Sequence, residues 1–467
     1  MNGEQLSMLM RKLREECSSR LARDSFLVLL FNGLARGIGM GKEMLIAALF
    51  GLGGQLDAYV LALLAPAFLA NLLGANFSSA LIPALGRVSA RNTSGALAAS
   101  NAAGSFLVRA LTAQALLVAL AALALALLPA SAMVVLSPDA TPERLVLTKA
   151  LLTGLLPLFI LSSLNHVLGS LVNYRGDFKG PALAATTGAL TILLGIFLLH
   201  GGLGIHALVA GLNLGAAVEF GLLIRLMGRA WGGVFDGWLN ALRDWRSKPS
   251  SEENPLPALL RGWGLLALGA SLFGLTPFIN NAIASTLGEG SVAALSYAAK
   301  LPAGFSALLG LTLSTVLLPH FTDMAHNAPR EALLASCQGM VKRLALVSAP
   351  LALAGILASP LLVELLFQRG RFDAQAAQTV SAGQVWFFAQ LPFFLLSIGA
   401  ARMLQALSQF RFLLLLQAVL LAASGLMSFG LSRVMGVTGI AASSALMHAL
   451  FAGAALWAVW RHCRRPA

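Results

Sequence analysis

The sequence predicts an all-α integral membrane protein of about twelve transmembrane helices, arranged as two pseudo-symmetric six-helix lobes with both termini cytoplasmic. Three observations predict it. Of 467 residues, 58% are hydrophobic and 11% are charged, less than half the charged share of an average soluble domain. Twelve mainly apolar stretches are each long enough to cross a bilayer, which takes about 20 residues. A proline–glycine pattern in the second stretch recurs in the eighth. The mean hydropathy of +0.80 agrees. Together these exclude an ordinary soluble enzyme, a disordered chain and a secreted disulfide scaffold.

Taken in order, residues 1–24 are charged throughout and lack the apolar core of a signal peptide, so they form a cytoplasmic N-terminal segment. The spans lie near 25–50, 57–86, 104–129, 146–172, 181–200 and 204–228, which make the N-lobe (25–228). Residues 229–256 form the longest hydrophilic stretch. Its tryptophans suit the headgroup level, and its Ser/Pro/Glu part reads as a flexible cytoplasmic connector. The C-lobe (257–460) holds spans near 257–284, 291–319, 343–366, 378–404, 411–432 and 437–460, and a short cytoplasmic tail, 461–467, follows.

With the N-terminus inside, 22 of the 32 Lys and Arg fall on cytoplasmic segments and 5 on external loops, a strong positive-inside bias. That bias accounts for the net charge of +13 without a nucleic-acid partner. Cys17, Cys337 and Cys463 then all lie on the reducing side, where free thiols are expected.

The repeat consists of Pro66, Gly74 and Pro83 in span two against Pro302, Gly310 and Pro319 in span eight, at a constant offset of 236. Both spans run from outside to inside, so the repeat is parallel, and such a repeat implies a site between two lobes that opens alternately to each side.

A Lys or Arg at mid-bilayer costs about 2.5–3.5 kcal/mol on insertion scales, so the charges that persist there need a reason. Span one carries Arg36, Lys42 and Glu43 among Gly33, Gly37, Gly39 and Gly41. Glycine weakens a helix, and a bend or unwound turn is expected there, with Gly37, Gly39, Gly41, Pro66 and Pro302 as hinge candidates. Lys42 and Glu43 are adjacent in sequence and need not pair. Span eight adds Lys300. Arg36, Lys42 and Lys300 together make a cationic cluster suited to a phosphate or pyrophosphate. Arg109, Arg402 and Glu364 sit nearer span ends, where snorkelling is expected. The histidines show no metal-ligand spacing, and no paired-carboxylate, nucleophile-elbow or phosphate-loop motif is present. No enzyme activity, metal or cofactor is expected.

Residues 34–59 (LARGIGMGKEMLIAALFGLGGQLDAY), 290–322 (GSVAALSYAAKLPAGFSALLGLTLSTVLLPHFT) and 365–376 (LLFQRGRFDAQA) resemble the MurJ/MviN lipid II flippases of the MOP exporter superfamily. The resemblance implies a two-lobe alternating-access transporter in the bacterial cytoplasmic membrane, with an undecaprenyl-pyrophosphate-linked sugar as substrate. It implies that Arg36, Lys42 and Lys300 bind the pyrophosphate, with Glu43 and Asp57 in the same cavity or gate. Asn71, Glu219 and Tyr297 are further cavity or gate candidates from their places within the spans. Three departures stand out. Family members usually carry arginine where this chain has Ala70 and Asn71. Acidic residues usually flank the eighth-helix cation, where this chain has Ala299 and Ala303. Fourteen helices are usual. These departures point to an exopolysaccharide or O-antigen type of lipid-linked unit as substrate, with lipid II as the alternative and a cation-coupled small-molecule exporter as the rival of another class. Expected partners are the lipid-linked oligosaccharide, membrane lipid and polysaccharide-synthesis enzymes, around a monomeric protein.

Overall fold

The computed structural model describes residues 3–91, 96–231 and 255–464. Most of the expected connector 229–256 and the last three residues of the tail lie outside the described residues, and residues 3–25, 91 and 96–102 are among those described by their backbone alone. Every regular element among the described residues is helical. The helices are α1 (Gly3–Phe50), α2 (Gly54–Ala70), α3 (Asn76–Arg91), α4 (Ala96–Leu127), α5 (Pro142–Gly154), α6 (Leu156–Tyr174), α7 (Lys179–Leu203) and α8 (His206–Ala230). They continue as α9 (Pro255–Gly274), α10 (Thr276–Ser285), α11 (Ser291–Asn327), α12 (Arg330–Phe367), α13 (Ala374–Ala389), α14 (Leu391–Ala406), α15 (Phe410–Met435) and α16 (Val437–Arg464). A π-helical turn, Asn71–Ala75, joins α2 to α3.

Among the described residues, eleven helical stretches are long and apolar enough to cross a membrane, and they match expected spans two to twelve. Expected span one falls on α1, where Arg36, Lys42 and Glu43 interrupt the apolar run. The cores are built from apolar side chains, yet Leu198, Leu357 and Leu426 are about three-quarters exposed. Such an outer surface suits lipid as the solvent, because hydrocarbon imposes no cost on an outward-facing leucine.

The local signals explain the boundaries. Asp373 caps α13, its carboxylate accepting from the Ala376 N–H at 2.8 Å. Prolines occupy the first turns of α6, α10 and α14, where a missing N–H costs nothing. Gly204 and Gly436, at φ of 54° and 60°, end α7 and α15.

Two compact units form, and their segments interleave in sequence. The first comprises residues 1–45, 65–128 and 151–267; the second comprises 46–64, 129–150 and 268–467. In the first, Phe77, Leu81, Leu107, Leu171 and Leu223 pack together. In the second, Phe321, Met403, Leu404, Ala455 and Val459 do so.

The internal repeat has structural counterparts. Span four breaks at Leu155, just before Leu156 and Pro157, and span ten breaks at Gln390, just before Leu391 and Pro392. The repeated glycines are both points of close approach. A Cβ on Gly74 would lie about 3.0 Å from the Ser163 backbone of α6, and a Cβ on Gly310 would lie 2.9 Å from the Ile398 side chain of α14.

Candidate functional site

In the first unit, α1 runs helical through Gly33, Gly37, Gly39 and Gly41, so the expected unwound turn is corrected to continuous helix. The reason is energetic. A broken backbone hydrogen bond in an apolar medium costs several kcal/mol, while each glycine costs a helix only about 1 kcal/mol. These glycines also face open space, so they are not packing glycines. Lys42 and Glu43 do pair, Nζ to Oε1 at 2.8 Å, although their adjacency in sequence does not require it. Both are half-buried, and burial favours an ion pair that adjacent residues would not need in water. Arg36 is exposed, about 120° around the helix from Lys42 by helical spacing.

The irregularity of span two takes the form of the π turn. Such turns free carbonyl groups and concentrate at functional positions. Here the freed groups are occupied. Gln114 of α4 donates to the Leu73 carbonyl at 3.1 Å and to the Ser163 carbonyl at 3.0 Å. Trp263 of α9 donates its indole N–H to the Leu72 carbonyl at 3.0 Å, and the Ser78 hydroxyl takes the Gly74 carbonyl. Asn71 opens the turn, exposed, with its side-chain amide on the Ala67 carbonyl at 3.0 Å. Ala70 is buried beside Val118 and Phe159, so position 71, and not position 70, has room for a long polar side chain. Gln114 and Trp263 were not singled out from sequence. The available signal was a glutamine with no charged neighbour inside an otherwise apolar span.

Glu219 also lies in the first unit, half-buried near the middle of α8. Its carboxylate sits over the missing side chain of Gly188. On the facing α6, Asn165 donates to the Ala216 carbonyl at 3.1 Å.

In the second unit, the three segments that carry the family resemblance meet at one end. Asp57, 2% exposed, accepts from the Gly290 N–H at 2.7 Å and the Ala293 N–H at 2.8 Å. It therefore caps α11, whose own N-cap, Gly290 at φ 83°, brings no side chain. Beside it, Arg144 forms an ion pair with Glu289. Arg371 donates its backbone N–H to the Ala48 carbonyl at 2.9 Å. Gly51 and Gly370, at φ of 61° and 60°, allow this close approach. Tyr297 is buried against Phe367 and Phe372, with ring centroids 5.1 and 5.7 Å away. Lys300, one turn further on, holds its ammonium 5.3 Å from the Tyr297 ring. Pro302 sits within an unbroken α11.

Of the expected residues, the structure thus pairs Lys42 with Glu43 and Lys300 with Tyr297. It assigns Asp57 and Tyr297 structural contacts as a helix cap and a packed ring. Among the described residues, no group of three or more His, Cys, Asp and Glu is arranged to hold a metal ion.

A family model described as "Lipid II flippase MurJ" matches residues 46–464. Among curated proteins, the chain is 26% identical over 362 residues to a lipid II flippase MurJ of Burkholderia cenocepacia, covering 75% of this chain and 66% of the relative. It is 26% identical over 261 residues to a probable lipid II flippase MurJ of Borreliella burgdorferi, covering 54% of this chain and 48% of the relative. The chain thus spans about half to two-thirds of the length of these relatives. Among solved structures, it superposes on a lipid II flippase MurJ in an inward closed conformation with a TM-score of 0.73 and 18% identity, covering 93% of this chain and 87% of that one. It also superposes on an inward-facing multidrug resistance MATE transporter of the MOP superfamily with a TM-score of 0.68 and 16% identity, covering 93% and 94%. At these identities the structural likenesses show a common fold.

Proposed function

Because the chain belongs to the lipid II flippase MurJ family, we propose that it carries a prenyl-pyrophosphate-linked saccharide from the cytoplasmic to the outer leaflet of the bacterial cytoplasmic membrane. Lipid II is the substrate this reading favours. The family match over residues 46–464 carries it. The sequence departures had favoured an exopolysaccharide or O-antigen unit. That preference is withdrawn, because the matching family and the curated relatives are described as lipid II flippases. The likeness to a multidrug transporter concerns the fold and does not raise the small-molecule reading.

The cations assigned to the pyrophosphate are Arg36, Lys42 and Lys300. Arg36 is exposed and offers a bidentate fork. Lys42 is held by Glu43, so an incoming phosphate would share or take over that ammonium. The Tyr297 face lies beside Lys300, its ring centroid 5.3 Å from the ammonium, and steadies that charge. The saccharide stays in water and the prenyl chain stays in lipid, so the protein moves a headgroup and makes or breaks no covalent bond.

The test is flipping in proteoliposomes, with lipid II and an undecaprenyl-pyrophosphate oligosaccharide of the exopolysaccharide type offered side by side. Lipid II should move, and Lys300→Ala should cut its rate at least tenfold with the melting temperature unchanged. Movement of the second lipid alone would restore the other substrate reading. An Lys300→Ala rate equal to wild type would remove Lys300 from the headgroup contacts.

A further inference from the structure

The second unit contains a cavity of about 160 Å³ between α14, α15 and α16. Phe394, Ser397, Arg402 and Gln405 line it from α14, Gln417 from α15 and His448 from α16. The α14 residues recur at helical spacing along one face. Arg402 is half-buried here and does not snorkel outward as its place near a span end suggested. Its guanidinium donates to the Gln405 side-chain amide oxygen, Oε1, at 2.8 Å. That bond holds Gln405 with its amide N–H groups left over as donors. Ser397 is already committed, its hydroxyl donating to the Phe393 and His448 carbonyls, and the His448 ring stands edge-on to Phe394 with centroids 5.2 Å apart.

Among the described residues, no carboxylate is paired with the charge of Arg402. The chain has no Asp or Glu after Asp373, so α13 to α16 contain none to offer. A cation at membrane depth without a counter-charge is costly. An anion from outside the polypeptide would remove that cost, and a guanidinium flanked by amides matches phosphate oxygens.

Depth indicates where such an anion comes from. Arg402 lies four residues before the end of α14, about 6 Å of helix rise. At that same end, Arg461 lies over the Trp457 ring and Arg464 over the Trp460 ring, at 5.3 and 4.3 Å. Arg–Trp pairs of this kind belong at the headgroup level.

We propose that this cavity binds the phosphate of an anionic glycerophospholipid, with Arg402 as the anchor and Gln405 and Gln417 as flanking donors. The proposal does not depend on which saccharide the protein carries.

The test is native mass spectrometry of the full chain in neutral detergent, titrated with dioctanoyl phosphatidylglycerol, dioctanoylglycerol or inorganic phosphate. Phosphatidylglycerol should bind at least tenfold more tightly than either control. Arg402→Gln should weaken it at least tenfold, Arg402→Lys less, and the exposed Arg411→Gln by less than twofold. Equal binding of dioctanoylglycerol, or an Arg402→Gln affinity equal to wild type, would overturn the proposal. Inorganic phosphate displacing the lipid at equal concentration would reassign the cavity to a soluble anion and overturn the lipid reading. Should Arg402→Gln not fold, Gln417→Leu takes its place: a threefold or greater loss supports the site, and unchanged binding overturns it.

Discussion

Asp57 shows how one buried carboxylate fixes the end of another helix. Its two oxygens take the Gly290 and Ala293 N–H groups, which the first turn of α11 would otherwise leave unsatisfied. The helix dipole adds a favourable term for the negative charge. Asp57→Ala should therefore destabilise the protein by about 1–3 kcal/mol, read as a lower melting temperature in detergent. Asp57→Asn should fall close to Ala, because an asparagine offers one acceptor and turns its NH2 toward a backbone donor. An Asp57→Asn melting temperature equal to wild type would contradict the capping role. Gly51 and Gly370 are coupled to the same end. Each has positive φ and abuts backbone, Gly51 at Arg371 and Gly370 at Ala48. Either changed to Ala should cost about 1–3 kcal/mol, measured in the same melt.

At the scale of elements, glycines with one composition separate into two kinds. Those of α1 meet open space, so nothing in their packing requires them. Gly37→Ala and Gly39→Ala should each stabilise the helix by about 0.5–1 kcal/mol. If α1 bends during transport, the same changes should slow flipping while raising the melting temperature; a rise in both would deny these glycines a hinge role. Gly74 and Gly310 are close-approach glycines with unequal neighbours. A Cβ at 74 meets the backbone of Ser163, which cannot yield, whereas a Cβ at 310 first meets the tip of Ile398, which can. Gly74→Ala should thus lower the melting temperature more than Gly310→Ala does. The π turn beside Gly74 depends on Gln114 and Trp263. Gln114→Leu would leave the Leu73 and Ser163 carbonyls without that donor, and should cost about 1–3 kcal/mol.

For the whole molecule, the expected cation count of 22 inside against 5 outside predicts an orientation that labelling can read. Cys337 and Cys463 are buried, so a Cys17→Ser background should label weakly. In it, Glu143→Cys should react with a membrane-impermeant maleimide added outside intact cells, and Asn327→Cys should react only after the membrane is opened. The reverse pattern would invert the topology.

The sequence alone determined the membrane class, the positions of spans two to twelve, the repeat and the family resemblance. Hydropathy, charge bias and a proline–glycine spacing each act locally or count over many residues, so one chain suffices to read them. It did not determine what Asp57, Lys42 or Arg402 touches. Asp57 and the Gly290 N–H lie 233 residues apart, and no spacing rule reaches across that distance. Lys42 beside Glu43 gains a partner only because both are half-buried, and burial is a property of packing. Arg402 read as a span-end cation, and the folding of α14, α15 and α16 around it turned that cation toward a cavity. Tertiary structure decided these contacts because it alone sets which polar groups lose water and must find one another.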